Sequence, residues 1–375
     1  MDSSVGRWSD INEVDEISDL ETGMDFRKPE YRREVFLRFY QFHTKYKAHP
    51  GGVYYLIPAL SEVFEWDIEE QLWWAFLNGN TQNPIISTII MQSFPYLAET
   101  DPVELQNYLD TNWHRLHFDT DRRYWKKELA NCVANYQRQL NGETQRSFFE
   151  KYCQAQSKAS NFMMMWDKVR NDFYGFGRLS TWSYLEYLFI LGLPIDPGTL
   201  FLEDRDGSKS LRNGLCKVLG RDDLDWHDSN PTFNGKYAPE LIHWLDGEAN
   251  LLLWEAKERM PNEPSISHFT LESTFCSYKS WFRPNRRYPN VYNDMMNERI
   301  KKAEADWKDD AGLDLDLFWQ LRKAFLPKNL RLEDNPNDLG IHPTKQNHFR
   351  LTGQVIMMER DWSCFANDYS KRLVE

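Results

Sequence analysis

The chain is 375 residues long, enough for one large domain or two smaller ones, and 15% of it is aromatic, which excludes an intrinsically disordered protein. Its formal net charge of −12 excludes a protein that holds nucleic acid by bulk positive charge, so any such contact must come from local basic clusters. The cysteines (Cys132, Cys153, Cys216, Cys276 and Cys364) are odd in number, show no C-x-x-C or Cys/His spacing, and read as reduced thiols of a cytoplasmic protein.

Residues 1–28 are acidic, lack the apolar core of a signal peptide, and read as a flexible acidic tail. From there the pattern is helical almost throughout. "PEYRREVFLRFYQFHTKY" places apolar residues at helical spacing. "DIEEQLWWAFLNG" opens with Asp67 as N-cap and Glu70 at the reciprocal position, and reaches Gly79 as a stop. Its two tryptophans read as core, and the polar "NGNTQN" that follows reads as a turn able to face a ligand. "DPVELQNYL" repeats the device, with Asp101 capping and Pro102 at the first helical position.

Further helices are expected over 121–140, 143–155, 159–171, 180–191, 208–219, 238–259, 265–282, 289–307 and 315–325, and "TLFLED" (199–204) is the best strand candidate. No apolar run approaches the ~20 residues of a membrane span. The expected organisation is a mostly α fold: a helical domain over 29–330 and an irregular C-terminal arm over 331–375.

Three stretches carry chemistry. The first, "DFYGFGRLSTW" (172–182), joins two helical runs. Gly175 and Gly177 let a phosphate backbone approach without a Cβ in the way. A helix starting at Ser180 offers free N–H donors and a partial positive charge, Arg178 adds a full charge, and Ser180 or Thr181 adds a hydroxyl. This is the physics of a helix–hairpin–helix element gripping a DNA strand, and the plain alternative is a turn between packed helices.

The second, "LFLEDRDGSKSLRNGLCKVLG" (200–220), collects Asp204, Asp206, Lys209, Arg212 and Asn213 around a glycine turn; a polar loop capping a helix is its alternative. In the third, "TLESTFCSYKSWFR" (270–283), Glu272, Cys276 and Lys279 share one helix side, as they would in a salt-bridged surface helix. Basic clusters stand at "RRYWKK" (122–127), "RPNRR" (283–287) and Arg170/Arg178.

Taken in order, "EEQLWWAFLNGNTQNPIIS", "YGFGRLSTWSY", "LEDRDGSKSLRNGLC" and "TLESTFCSYKSWFR" resemble the bacteriophage amino-acid:DNA transferases, an α-glutamyl/putrescinyl thymine pyrophosphorylase-like clade whose helical fold is related to the helix–hairpin–helix DNA glycosylases. The resemblance runs from about Glu34 to Arg322. Relatives often carry a histidine before the Arg-Asn-Gly, where this chain has Leu211.

The resemblance implies an enzyme of thymine hypermodification in the cytoplasm of an infected bacterial host. A DNA kinase acting upstream phosphorylates 5-hydroxymethyluracil in double-stranded DNA. The transferase then joins a free amino acid to the 5-methylene carbon and expels phosphate or pyrophosphate. No membrane and no organic cofactor are implied, and Mg2+ is the one metal the phosphate leaving group invites.

Such chemistry needs the base flipped out of the duplex, at a few kcal/mol. Tyr174 and Trp182 are candidates to stack on it, with core packing as their alternative. Lys209 and Arg212 suit the leaving phosphate. Asp204 is the first candidate to deprotonate the amine, followed by Asp206 and Glu272. Arg178 or Arg283 suits the amino acid's carboxylate. Cys216 or Cys276 would serve if a thiolate added to the uracil ring, against the plainer reading of a buried inert thiol. A hydrolase of the glycosidic bond and a non-catalytic helix–hairpin–helix DNA-binding protein are the alternative functions. Abasic sites in treated DNA would mark the hydrolase. Loss of DNA binding alone on Asp204→Asn would mark the binding protein.

Overall fold

Asp67, Asn83, Asp101, Thr144 and Ser157 each stand one residue before a helix and accept first-turn N–H bonds through their side chains. These caps punctuate a chain that the computed structural model describes over residues 28–204, 208–224, 238–279, 282, 295–310 and 314–325. The helices are α1 (Pro29–Lys45), α2 (Val53–Val63), α3 (Ile68–Thr81), α4 (Pro84–Ser93), α5 (Pro102–Thr111), α6 (Leu129–Leu140) and α7 (Gln145–Glu150), followed by α8 (Lys158–Asp172), α9 (Arg178–Ile190), α10 (Lys209–Val218), α11 (Pro239–Arg259), α12 (His268–Lys279), α13 (Met295–Trp307) and α14 (Asp316–Ala324). No strand occurs among the described residues, so the fold is mostly α. The expected tail and arm, residues 1–27 and 331–375, lie outside the described residues.

Several local expectations change. "TLFLED" is a turn, because Phe201 takes φ +52° and the Asp204 N–H bonds the Phe201 carbonyl at 3.1 Å. Residues 120–128 form two short 3-10 turns (Thr120–Tyr124 and Lys126–Glu128) before α6 begins. Gly79 does not end α3. The helix runs to Thr81 and stops at Gln82, whose φ is +53°. A Cβ on Gly79 would sit 3.3 Å from the Tyr184 Cβ, so this glycine serves the close approach of α3 to α9.

The chain divides into two compact units. One comprises Val53–Gly198 with Glu298–Leu321. Its centre is α3, packed on α4, α7 and α9. The Asp67–Glu70 capping box closes as expected, with the Asp67 N–H donating to Glu70 Oε2 at 2.8 Å. Trp73 and Trp74 are buried, and their indoles donate to the Phe94 carbonyl and to Thr88 Oγ1. Phe76 stacks on Tyr136 at 4.2 Å, beside Phe173, Phe176 and Tyr184. Each such ring removed from water contributes roughly 1.5–3 kcal/mol.

The other unit holds the described residues of Asn12–Gly52, Thr199–Asn297 and Arg322–Glu375. Here α1 packs on α10, α11 and α12. Phe36 stacks on Phe275 at 4.8 Å and meets Tyr278 edge-on. The tightest crossing is α10 on α12. A Cβ on Gly214 would stand 2.3 Å from the Phe275 carbonyl oxygen, so only glycine permits it.

Candidate functional site

The glycine joint is the turn 173–177 between the packed helices α8 and α9. Its two glycines have different causes. Gly175 has φ +79°, and a Cβ there would meet the Trp125 ring at 3.3 Å and Cys132 Sγ at 3.4 Å. Backbone and packing both demand glycine. Gly177 has φ −85° and nothing within 4 Å of a Cβ, so neither demands it. It is exposed and stands at the N-cap of α9 with no side chain to cover the first-turn N–H groups.

The helix therefore starts at Arg178 rather than Ser180. Ser180 is buried at the third position and accepts the Gly177 N–H at 3.0 Å, and Thr181 is also buried. Neither hydroxyl faces solvent, which corrects the expectation that they extend a phosphate site. The Arg178 guanidinium is half-buried, 5.9 Å from the centre of the Trp182 ring. Trp182 is 3% exposed and meets Phe162 and Trp166 edge-on, so it is a core residue without a face for a base. Tyr174 is 45% exposed and does have one; its hydroxyl donates to Glu128 Oε2 at 3.2 Å.

Beneath the joint lies Arg122, 1% exposed, from the basic cluster "RRYWKK". It donates to the Gly175 carbonyl at 2.6 Å, to the Asn80 carbonyl at 3.1 Å and to Asn80 Oδ1 at 2.5 Å. Two motifs far apart in sequence are thus fastened by one buried cation. Hydrogen bonds to a charged group contribute ~1.5–3 kcal/mol each. The polar turn "NGNTQN" is a scaffold, not a ligand face. Asn78, Asn80, Thr81 and Asn83 are buried, Thr81 Oγ1 lies 2.6 Å from Ser87 Oγ, and Asn83 donates to the His117 carbonyl.

In the other unit, Asp204 closes the turn that begins at Phe201, and its carbonyl accepts from Ser208 N–H and Oγ–H at 3.0 and 2.5 Å. Ser208 is the N-cap residue of α10, and Lys209 begins the helix, half-buried. Arg212 is 2% exposed and donates to the Leu202 carbonyl at 3.3 Å. It holds the 199–204 turn against α10 rather than presenting its charge to solvent. Asn213 and Leu211 are buried, the latter fully, so a core side chain fills the position where relatives often carry histidine.

Cys216 is fully buried in α10 and offers no sulfur to a substrate. On α12, Cys276 Sγ lies 3.6 Å from Glu272 Oε1, and Lys279 Nζ donates to Ser210 Oγ. Burial, with Glu272 adding to it, pushes the Cys276 thiol up to about 12. That environment disfavours the thiolate that ring addition would need. Asp206 and Arg283 lie outside the described residues.

The same unit contains a cluster that sequence reading missed. Thr199 Oγ1 donates to Asp246 Oδ1 at 3.5 Å, and His268 Nε2 lies 3.0 Å from Asn250 Oδ1. Burial pushes the Asp246 carboxyl up, Glu203 adds like-charge repulsion, and Thr199, His268 and His243 oppose the shift. His243, Asp246 and Asn250 recur at helical spacing in "HWLDGEAN", which was the available signal. Among the described residues no group of three or more His, Cys, Asp or Glu side chains is arranged to hold a metal, and no helix is long and apolar enough to cross a membrane.

A family model described as amino acid:DNA transferase matches residues 54–287. A relative named serinyltransferase, from Salmonella phage ViI, is 28% identical over 330 residues, spanning 84% of this chain and 79% of its own length. No solved structure matches the chain.

Proposed function

This chain belongs to the amino acid:DNA transferase family and is an enzyme that transfers an amino acid to DNA; from that premise we propose that its acceptor is phosphorylated or pyrophosphorylated 5-hydroxymethyluracil in double-stranded DNA. The observation that carries the reading is the span of the family match, which takes in both the glycine joint and the α10–α12 elements. A DNA kinase acting beforehand supplies the phosphorylated base. The relative's name makes serine the first amino acid to test.

The amine of the amino acid forms a bond to the 5-methylene carbon while the bond from that carbon to the phosphate oxygen breaks. The leaving (pyro)phosphate departs with the electron pair, and Asp204 takes the ammonium proton beforehand. A positioned base contributes typically ~10²–10⁴-fold. Lys209 faces the departing charge, and Arg212 fixes the turn that carries Asp204. Mg2+, where it takes part, rides on the substrate phosphate.

DNA is held by the N-terminus of α9, where Gly177 leaves the donors open, and Arg178 supplies the charge. Tyr174 is the ring available to an extruded base.

The test is nucleoside mass spectrometry of DNA carrying 5-hydroxymethyluracil, phosphorylated or not, after incubation with the protein and a mixture of amino acids. An amino-acid adduct on the phosphorylated DNA alone is the expected result. No adduct on either DNA would refute the reading.

A further inference from the structure

The net charge of −12 makes one surface stand out. The turns after α5 carry Trp113, Arg123, Tyr124, Lys126 and Lys127, and Tyr174 of the glycine joint lies beside them. Tyr124 is 74% exposed, Tyr174 45% and Trp113 37%, three large rings open to solvent on neighbouring turns. Trp113 and Tyr124 each have a cation over the ring: Lys126 Nζ lies 3.9 Å above Trp113, and the Arg123 guanidinium lies 5.5 Å from Tyr124.

The patch is rigid. Lys126 donates to the Trp113 and Leu116 carbonyls, and Arg123 to the Thr120 carbonyl. It is also continuous with the joint, since Trp125 meets Tyr174 edge-on at 6.1 Å and lies where a Gly175 Cβ would touch it. Asp119, Asp121 and Glu128 are acidic groups of the same turns, and Asp119 pairs with Arg299. Asp121 accepts from Thr120, and Glu128 is occupied by Asn131 and by Tyr174.

Exposed rings alternating with cations are what unpaired nucleotides require. Bases stack on the exposed rings of Tyr124 and Tyr174, phosphates meet the exposed Arg123 and Lys127, and sequence does not matter. Stacked bases inside a duplex leave no face for such rings. We propose that this aromatic and basic surface holds unpaired bases of the DNA strand opened around the flipped nucleotide, so that the enzyme favours locally melted DNA. The proposal rests on the DNA-transferase reading above and adds a second contact, distinct from the phosphate grip at α9.

Fluorescence anisotropy on the full chain with unmodified DNA tests it, using an uninterrupted duplex and a duplex of equal length with a short unpaired bubble. The wild type should bind the bubble more tightly. Tyr124→Ala should lose roughly ten-fold on the bubble and far less on the duplex. Lys127→Ala should lower the salt slope by about one without removing the preference. Equal binding of both DNAs by the wild type would overturn the proposal. So would a bubble preference that survives Tyr124→Ala, or tighter binding to single-stranded RNA of the same sequence. Unmodified DNA keeps this outcome separate from the transferase reading, which fails only if no adduct forms on phosphorylated substrate.

Discussion

At the 173–177 joint, charge lies inside and open backbone lies outside; along α10 the glycine lies inside and backbone meets backbone. Arg122 under the joint ties Gly175 to Asn80, leaving Gly177 exposed at a bare helix start. In "SLRNG", Gly214 faces the Phe275 carbonyl, and Arg212 is spent on the Leu202 carbonyl. Both motifs pair glycine with arginine in sequence. What separates them is the neighbour opposite the missing Cβ: open space at Gly177, another helix's backbone at Gly214. At Gly177 neither φ nor packing requires glycine, so the backbone at that helix start stays open to approach.

The largest expected effect concerns the turn beside α10. Asp204→Asn should slow transfer by about 10²–10⁴-fold with DNA affinity unchanged, read by single-turnover kinetics and anisotropy on one preparation. A wild-type rate would make Asp204 a loop carboxylate and move attention to Asp206 and Glu272. Next is Gly214→Ala, which places a methyl against a backbone atom that cannot rotate away. It should destabilise the protein by about 3 kcal/mol in urea unfolding. A neutral result would mean that α10 and α12 cross less tightly than the structure has it.

The two joint glycines make a third, smaller test. Gly175→Ala forces a left-handed residue against the Trp125 ring and should cost about 1–2 kcal/mol. Gly177→Asn should leave stability unchanged or raise it by a few tenths of a kcal/mol, because asparagine is a good N-cap. It should nonetheless weaken DNA binding, since its side chain takes the N–H donors a phosphate would use. Unchanged DNA affinity would show that the joint is a turn only.

The smallest effect is at Asp246. Its folded carboxyl is raised by burial, so the folded state holds the proton more tightly than the unfolded chain does. Any stability this gives is present at acid pH and lost as pH rises through the raised value. Asp246→Asn should therefore stabilise the protein slightly at neutral pH and not at pH below the ordinary carboxylate range, in thermal melts across pH. A stabilisation equal at both pH values would remove the electrostatic account.

Elements whose signals are local were legible in the sequence. Asp67 with Glu70, and Asp101 with Pro102, cap helices through contacts within four residues, and both stand where expected. Signals settled by distant neighbours were not. Gly79 read as a stop because nothing nearby in sequence announces Tyr184. Trp182 and Cys216 each read two ways, as a ring or sulfur for the substrate or as core, and burial settles both as core. Arg122 read only as one residue of a basic cluster, and its partners Asn80 and Gly175 lie 42 and 53 positions away. Asp246 escaped because its cluster comes from three segments, and only the α11 part has helical spacing.

The most direct measurement of the central claim is the release of phosphate or pyrophosphate per amino acid incorporated into DNA carrying phosphorylated 5-hydroxymethyluracil. Displacement at the 5-methylene carbon predicts equimolar release and incorporation, with every glycosidic bond intact. Abasic sites and free modified base, or amino acid attached without any phosphate released, would contradict it.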